Sequence, residues 1–336
     1  MRSALAAWAA ALTVMLIAAP SRAEDAKRES VTLAVPVFSL GFALEYLNQD
    51  LGLYAKHGLD AKTLQIDGLG TINAVISGSV DFAEPSGTSF TRAAAKGQRL
   101  LAIVEMMNHP SAQVVLRKDL AAAAGFDPKA PLAKRGLVLK DRTLGISAVN
   151  SVLHGYLRLV AIRGGLDPDA LKIGVIPAPN LPAAFASRQI DGFVNDNPWT
   201  GQALLSGDAV LVASGPDGDP PELAEFANTV VVTRPETCEK RRAVCVAVGR
   251  AFAESAAFLH DHLDEARAVL QKRFSMLDEK VLRLSLDVTR KLTPSPPAPT
   301  KAAIENIDRY NIDAGLLKPE EKLSSYDGLY TDEYVR

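Results

Sequence analysis

TLAVPVFSLGFALEYLNQDLGLYAKHGLDAKTLQIDGLGTINAVISGSVDF, residues 32–82, decides the fold, because residues 143–193, TLGISAVNSVLHGYLRLVAIRGGLDPDALKIGVIPAPNLPAAFASRQIDGF, repeat its plan in other residues. Each opens on a short apolar and β-branched run, TLAVPV or TLGISA, that reads as a buried parallel strand. A helix is expected next, over about residues 40–56 with a stop at Gly58, and over about residues 152–163 with a stop at Gly164 and Gly165. Glycine just past a helix end supplies a left-handed cap. Gly58-Leu59-Asp60 and Gly165-Leu166-Asp167 follow, and a leucine four residues past each aspartate opens a second strand, LQI or LKI. A further helix and a small-residue turn then lead to a third strand marked by Asp81 or Asp191.

Thr32 and Thr143 are 111 residues apart, Asp60 and Asp167 107, and Asp81 and Asp191 110, a spread that a few residues of loop variation absorb. Two β-α-β-α-β units on one chain follow. Unrelated α/β units would share the same outline by chance, and on either reading the fold class is α/β.

Ahead of the first unit stands MRSALAAWAAALTVMLIAAPSRA, with an early arginine, an apolar run over residues 4–19, and Ser21 and Ala23 spaced as a cleavage site. Residues 1–23 are expected to be a secretory signal removed after Ala23, the run being short for a membrane anchor. No later segment is expected to span a bilayer. The rest of the 336 residues is enough for two domains, and a net charge of −2 provides no basic field for nucleic acid.

Cys238 and Cys245 are the only cysteines. In one unbroken helix, residues seven apart lie about 10 Å apart along the axis, too far for a disulfide. A first turn at residues 233–236 and a main helix starting near Glu239 would bring them together, so the bonded and free states are both open. The charges Lys129, Lys134, Arg135 and Lys140 read as a solvated face. His57 and His154 stand on helices, His260 and His262 on a polar helix end, with no zinc spacing and no nucleophile-base pattern. No cofactor or metal is expected.

The run YLNQDLGLYAKHGLDAKTLQIDGLGTINAVISGSVDFA resembles the signature of the NitT/TauT-type solute-binding proteins of ABC transporters, which include sulfonate, nitrate and thiamine-pyrimidine binders. The likeness continues through GISAVNSVLHGYLRLVAIRGGLDPD, IDGFVNDNPW and RAFAESAAFLHDHLDEARAVLQKRF, nearly the whole chain after the signal. It implies a type II periplasmic-binding fold: two similar lobes, two crossings, and a ligand in the cleft between them. The first lobe would take residues 24–108 and return over residues 226–336 with the C-terminal helices and tail; the second would take residues 109–225. The crossings, near residues 107–112 and 222–228, read as strand-like. The closing segment is expected to pack back on the first lobe.

Strand ends at the cleft are where an open α/β sheet holds its ligand. In the first lobe these are Phe38, Ser39 and the loop Glu84, Pro85, Ser86, Gly87, Thr88; in the second they are Asn150, Ser151, Asp196 and Trp199, with Asn108 at the first crossing. Ser39 and the hydroxyls of Ser86 and Thr88 serve equally as helix caps or as ligand donors. Glu84 and Asp196 are acids facing a cleft, costly unless each meets water, a cation or a donor, and a latch between lobes is the alternative. Trp199 is a stacking wall or a core residue.

Two acids, amides, hydroxyls and an aromatic, with no arginine or lysine among them, favour a small polar or heterocyclic solute bearing amino or hydroxyl groups. The alternative is an anion of the sulfonate or nitrate kind, held by helix N-termini. The resemblance implies a non-enzymatic binding protein in the periplasm, a monomer whose partners are the small-molecule ligand and an inner-membrane ABC permease with its cytoplasmic ATPase. Fungal relatives by fold that make the thiamine pyrimidine use an internal histidine and a cysteine-rich motif. Export and two cysteines placed elsewhere set this chain apart from them.

Overall fold

In the computed structural model, residues 28–336 other than residue 69 are described, and the expected signal lies outside them. Ten strands form two sheets. β1 (Glu29–Val35), β2 (Leu59–Gln65), β3 (Phe82–Ala83), β4 (Leu101–Met107) and β10 (Thr229–Thr233) build one, in the order β2-β1-β3-β10-β4. β5 (Gln113–Arg117), β6 (Thr143–Ile146), β7 (Lys172–Val175), β8 (Gly192–Asn195) and β9 (Ala209–Ser214) build the other, in the order β7-β6-β8-β5-β9. The two orders are the same pattern. In each, three parallel strands from one copy of the repeat meet an antiparallel strand, β10 or β5, that directly follows a crossing.

The repeat extends to individual hydrogen bonds. The Asp81 carboxylate accepts from the Thr32 N–H at 2.8 Å and the Asp81 N–H donates to the Thr32 carbonyl at 3.0 Å. Asp191 and Thr143 make the same pair at 2.9 and 2.8 Å. An arginine flanks each aspartate, Arg241 at 3.0 Å and Arg117 at 3.7 Å. The aspartates thus satisfy the strand-end donors that the ladder leaves over.

The local structure departs from expectation at several points. The helix over residues 40–56 is a 3-10 turn Leu40–Phe42, a helix Ala43–Asp50 and a short helix Leu53–Lys56. Gly52, at φ 66°, breaks it in the left-handed region, and the turn sends Leu53 and Tyr54 into the core. β2 opens at Leu59 rather than Leu64, because seven residues in register pair with β1 from Glu29 onward. In the second copy the matching residues form the 3-10 turn Pro168–Ala170, capped by Asp167, where proline has no N–H for a ladder.

The chain crosses between the sheets over residues 108–112 and 215–228. The second crossing is not strand-like: it folds into the 3-10 turns Gly215–Asp217 and Pro221–Leu223, as Pro216, Pro220 and Pro221 require. Arg135 is not merely solvated, since it donates to Asp219 at 2.7 and 2.9 Å and to the Val212 carbonyl at 2.6 Å.

Cys238 and Cys245 are disulfide-bonded with Cα atoms 5.6 Å apart. The helix Pro235–Lys240 ends before Arg241, whose φ of −130° lies outside the helical region, and a new helix, Arg242–Asp261, starts at the next residue. That break is what brings the cysteines together. By length and composition Arg242–Asp261 could span a membrane, contrary to expectation, but Val244, Val248, Phe252, Ala256 and Leu259 on it are core residues of the first lobe.

The helix Lys301–Asp313 packs on Gly87–Ala95 of the first lobe, and residues of the tail extend the same sheet through a bridge from Tyr330 to Ala102. It also reaches the second lobe. Tyr310 donates to the Val152 carbonyl at 2.7 Å and Arg158 to the Ala314 carbonyl at 2.7 Å, while Leu159 of the helix Val152–Arg163 enters the first lobe's core. Gly155 permits the approach, since a Cβ there would lie 2.8 Å from the Tyr310 hydroxyl.

Candidate functional site

The lobes touch where the strand ends face each other. A Cβ on Gly41, in the first 3-10 turn, would lie 3.8 Å from Asp196 Oδ2 of the opposite lobe, 3.5 Å from Ser39 Oγ and 3.7 Å from Met107 Cε. The Ser39 hydroxyl accepts from the Gly41 N–H at 3.1 Å and its own N–H donates to the Tyr46 hydroxyl at 3.3 Å, so the serine is a cap held from behind by a tyrosine. Phe38, 37% exposed, stacks on Phe274 with ring centroids 4.4 Å apart and leans on Tyr46 at 5.6 Å. Its other face is open to solvent at the cleft, a flat apolar surface.

Across the gap, β8 ends in Asn195, Asp196 and Asn197. The Asp196 N–H donates to Asn195 Oδ1 at 3.0 Å, and its carboxyl, on a residue still partly open to solvent, meets no side-chain donor among the described residues. Desolvation raises its pKa to about 7. Beside it, Asn195 Nδ2 and Asn197 Oδ1 are buried and have no partner among the described residues. Gln113, at the start of β5, accepts from Asn197 Nδ2 at 3.1 Å and from Thr200 at 2.7 Å, which fixes the loop.

The remaining residues singled out in the sequence are placed as follows. Ser86 caps Gly87–Ala95 by accepting from the Ser89 N–H at 3.3 Å, and shares a 2.9 Å bond with Thr88, which is fully buried. The Gly87 N–H donates to the Asn228 carbonyl at 3.0 Å, and a Cβ there would lie 1.8 Å from the Ala227 carbonyl oxygen. This glycine serves the approach of the second crossing. Asn108 Oδ1 accepts from His109 Nδ1 at 2.8 Å within the first crossing. Ser151 caps Val152–Arg163 through the His154 N–H at 3.1 Å, and Asn150, at φ 56°, receives Arg92 of the other lobe on its carbonyl at 3.0 Å. Trp199 opens the helix Trp199–Leu205 after a cis proline and rests half-buried against Phe185 and Phe193 of the second lobe's core.

Glu84 differs most from its expected setting. It points the same way as Phe82, into the first lobe, and is wholly buried behind the cleft wall. Its neighbour there is Glu45, on the first turn of Ala43–Asp50, which no motif marked. Nor does any motif mark Tyr46, Gln113 or Asn195, whereas Asn197 lies in the strand-end loop that the sequence places at the cleft. The one available hint was a run of polar residues, NDNPW, directly after a buried strand.

Among the described residues no three His, Cys, Asp or Glu side chains converge as a metal site. Surface depressions lined by Phe126, Lys129 and Lys134, and by His57, Arg242 and Arg250, lie on outer faces away from the cleft.

The chain resembles solved structures along most of its length. It is 18% identical to the periplasmic aliphatic sulphonate-binding protein SsuA from Escherichia coli, with a TM-score of 0.67 over 88% of this chain and 94% of that one. The periplasmic nitrate-binding protein NrtA from Synechocystis PCC 6803 gives 15% identity and a TM-score of 0.71 over 92% and 87%. The ligand-binding component of an ABC-type import system from Staphylococcus aureus gives 15% and 0.69 over 92% and 98%. The periplasmic-binding-protein fold is therefore shared. No curated protein matches in sequence. The profile of the NMT1-like family matches residues 26–273.

Proposed function

Because the chain belongs to the NMT1-like family, we propose that it is the extracytoplasmic substrate-binding component of an ABC importer. It is exported with residues 1–23 removed, closes its two lobes on one small solute as a monomer, and delivers that solute to an inner-membrane permease driven by a cytoplasmic ATPase. It catalyses no reaction. The first lobe is residues 24–108 with 226–336 and the second is residues 109–225.

The solute is a small, flat, polar molecule bearing an amino group, such as a pyrimidine-like heterocycle. The observation that carries this is Asp196, a desolvated carboxyl at the lobe contact with no cation to answer it. An amine would bond Asp196 and Asn197 Oδ1, a ring acceptor would meet Asn195 Nδ2, and the ring would lie on Phe38. The capping N–H groups of Gly41, Ser89 and His154 already serve Ser39, Ser86 and Ser151, which leaves fewer donors for an anion.

Mass spectrometry of small molecules released from protein purified out of its own periplasm tests this, followed by calorimetric titration of the molecule found. An amine or hydroxylated heterocycle is expected, with affinity falling roughly tenfold to a hundredfold in Asp196→Asn through loss of a charge-assisted bond. A released sulfonate or nitrate, bound as well or better by Asp196→Asn, would overturn the ligand class. Turnover of the molecule by the purified protein would overturn the binding role.

A further inference from the structure

Behind the cleft wall, Glu84 and Glu45 face each other with both residues fully buried. Three donors converge on Glu45: Gln49 Nε2 at 2.7 Å, the Tyr54 hydroxyl and the Thr63 hydroxyl. None reaches Glu84, both of whose oxygens lack a partner, and the two amide atoms of buried Asn48 nearby lack one as well. The group within hydrogen-bonding reach of Glu84 is the Glu45 carboxyl. Two carboxylates are both acceptors and repel; they bond only if one carries a proton. The asymmetry of donors says which one. Glu45, with three donors, is held as the anion, and Glu84 is the acid.

The other titratable or charged groups on the surrounding elements do not relieve this. Tyr46 and Tyr54 are held neutral, their pKa values pushed up by burial first and then by the two carboxylates. Arg273, the cation whose charge reaches the cluster, is bound to Asp50 at 2.9 Å and lies 4.8 Å from the centre of the Tyr46 ring.

We propose that Glu84 and Glu45 share one proton, and that this acid–anion pair is the clasp joining the two cleft loops of the first lobe. Glu84 directly follows β3 and leads through Pro85 into the Ser86 cap. Glu45 sits on the turn that follows Ser39 and is adjacent to Tyr46, which accepts from the Ser39 N–H. Stripping the proton places two like charges in the interior and drives the loops apart. Burial and the neighbouring carboxylate both raise the folded pKa of Glu84 above its unfolded value. The stability it contributes is therefore complete at acid pH and is lost as pH rises toward the folded pKa.

The mature, ligand-free protein tests this by thermal and chemical unfolding from about pH 5 upward, where, until the pH reaches the folded pKa of Glu84, one retained proton adds a rise of about tenfold per pH unit to the unfolding constant. Glu84→Gln keeps an N–H donor toward Glu45 and needs no proton, so its slope should be smaller by that amount. Infrared difference spectra at neutral pH, wild type minus variant, should show the C=O stretch of a protonated carboxylic acid lost in both Glu84→Gln and Glu45→Gln, while the raised carboxyls of Asp196 and Glu105 contribute to wild type and variants alike. The same slope in wild type and Glu84→Gln, or a difference spectrum with no carboxylic acid band lost in Glu84→Gln, would overturn the proposal. Alkaline stability restored by sodium, potassium or calcium ions in the wild type and not in Glu84→Gln would also overturn it, in favour of a bound cation. If Glu84→Gln fails to fold, the Glu45→Gln slope and band decide on the same terms.

Discussion

A single carboxyl, Asp196, links structure to a measurable pH dependence. Its pKa is raised to about 7 by desolvation, against about 3.9 when unfolded. A raised carboxyl pKa makes stability fall as pH rises from the unfolded value to the folded one, here from about pH 4 to about pH 7, and then level off. A cationic solute acts in the opposite sense, because the ionised form is the partner it needs. Titration calorimetry with the natural amine-bearing solute should show affinity increasing through about pH 7, and Asp196→Asn should remove that dependence while leaving the ligand-free protein as stable or about 1 kcal/mol more stable at pH 8. Flat affinity in the wild type would place the carboxyl outside the binding event. Glu84 answers differently although it reads alike in the sequence. Glu84→Ala should lower the melting temperature, because it empties a fully buried site behind the cleft wall and removes Glu84 as the neighbour of Glu45.

Helix punctuation shows how an element can hide its own geometry. The residues from Thr237 to Phe252 can be read as one continuous helix, yet the chain breaks at Arg241 and the disulfide spans the break. A loop this short constrains the unfolded chain by about 2.5 kcal/mol on the loop-entropy relation. Replacing both cysteines by serine should therefore lower stability by up to that amount while ligand affinity stays within about twofold, since the bridge lies outside the cleft. A large loss of affinity at unchanged stability would contradict this. Trp199 belongs at the same scale, as the first residue of a helix that seats the cleft loop. Its ring is half core, so Trp199→Ala should cost about 2 kcal/mol of stability along with any stacking.

Two lobes on two crossings would ordinarily close freely about their hinge. Here further struts span them: Tyr310 to Val152, Arg158 to Ala314, Arg92 to Asn150, and Lys291 to Asp217 at 3.0 Å. The contact between Gly41 and Asp196 marks a closed arrangement. Small-angle scattering of the ligand-free protein should give a larger radius of gyration than the bound form, and Gly155→Val should widen the ligand-free distribution by pushing Val152–Arg163 away from Tyr310. Identical scattering with and without solute would mean that the struts hold the cleft shut.

The duplicated plan and the α/β class were legible because strand alternation, helix-stopping glycines and the aspartates Asp81 and Asp191 act on near neighbours or on a repeat that can be aligned with itself. That Phe38, Ser39 and Asp196 stand just past strands was legible in the same way, because each follows an apolar strand pattern. Other features depended on contacts between residues far apart in the chain. Which way Glu84 points follows from the parity of a two-residue strand, and what it meets follows from Glu45 arriving on another helix. The partners of Gly87, the strut at Tyr310 and the unanswered amides of Asn195 and Asn197 arise from packing of segments tens to hundreds of residues apart. Burial decided the rest: a sequence shows that an acid is present, but the surrounding elements determine whether water reaches it, and that sets whether it is a charge for a ligand or a proton held inside the wall.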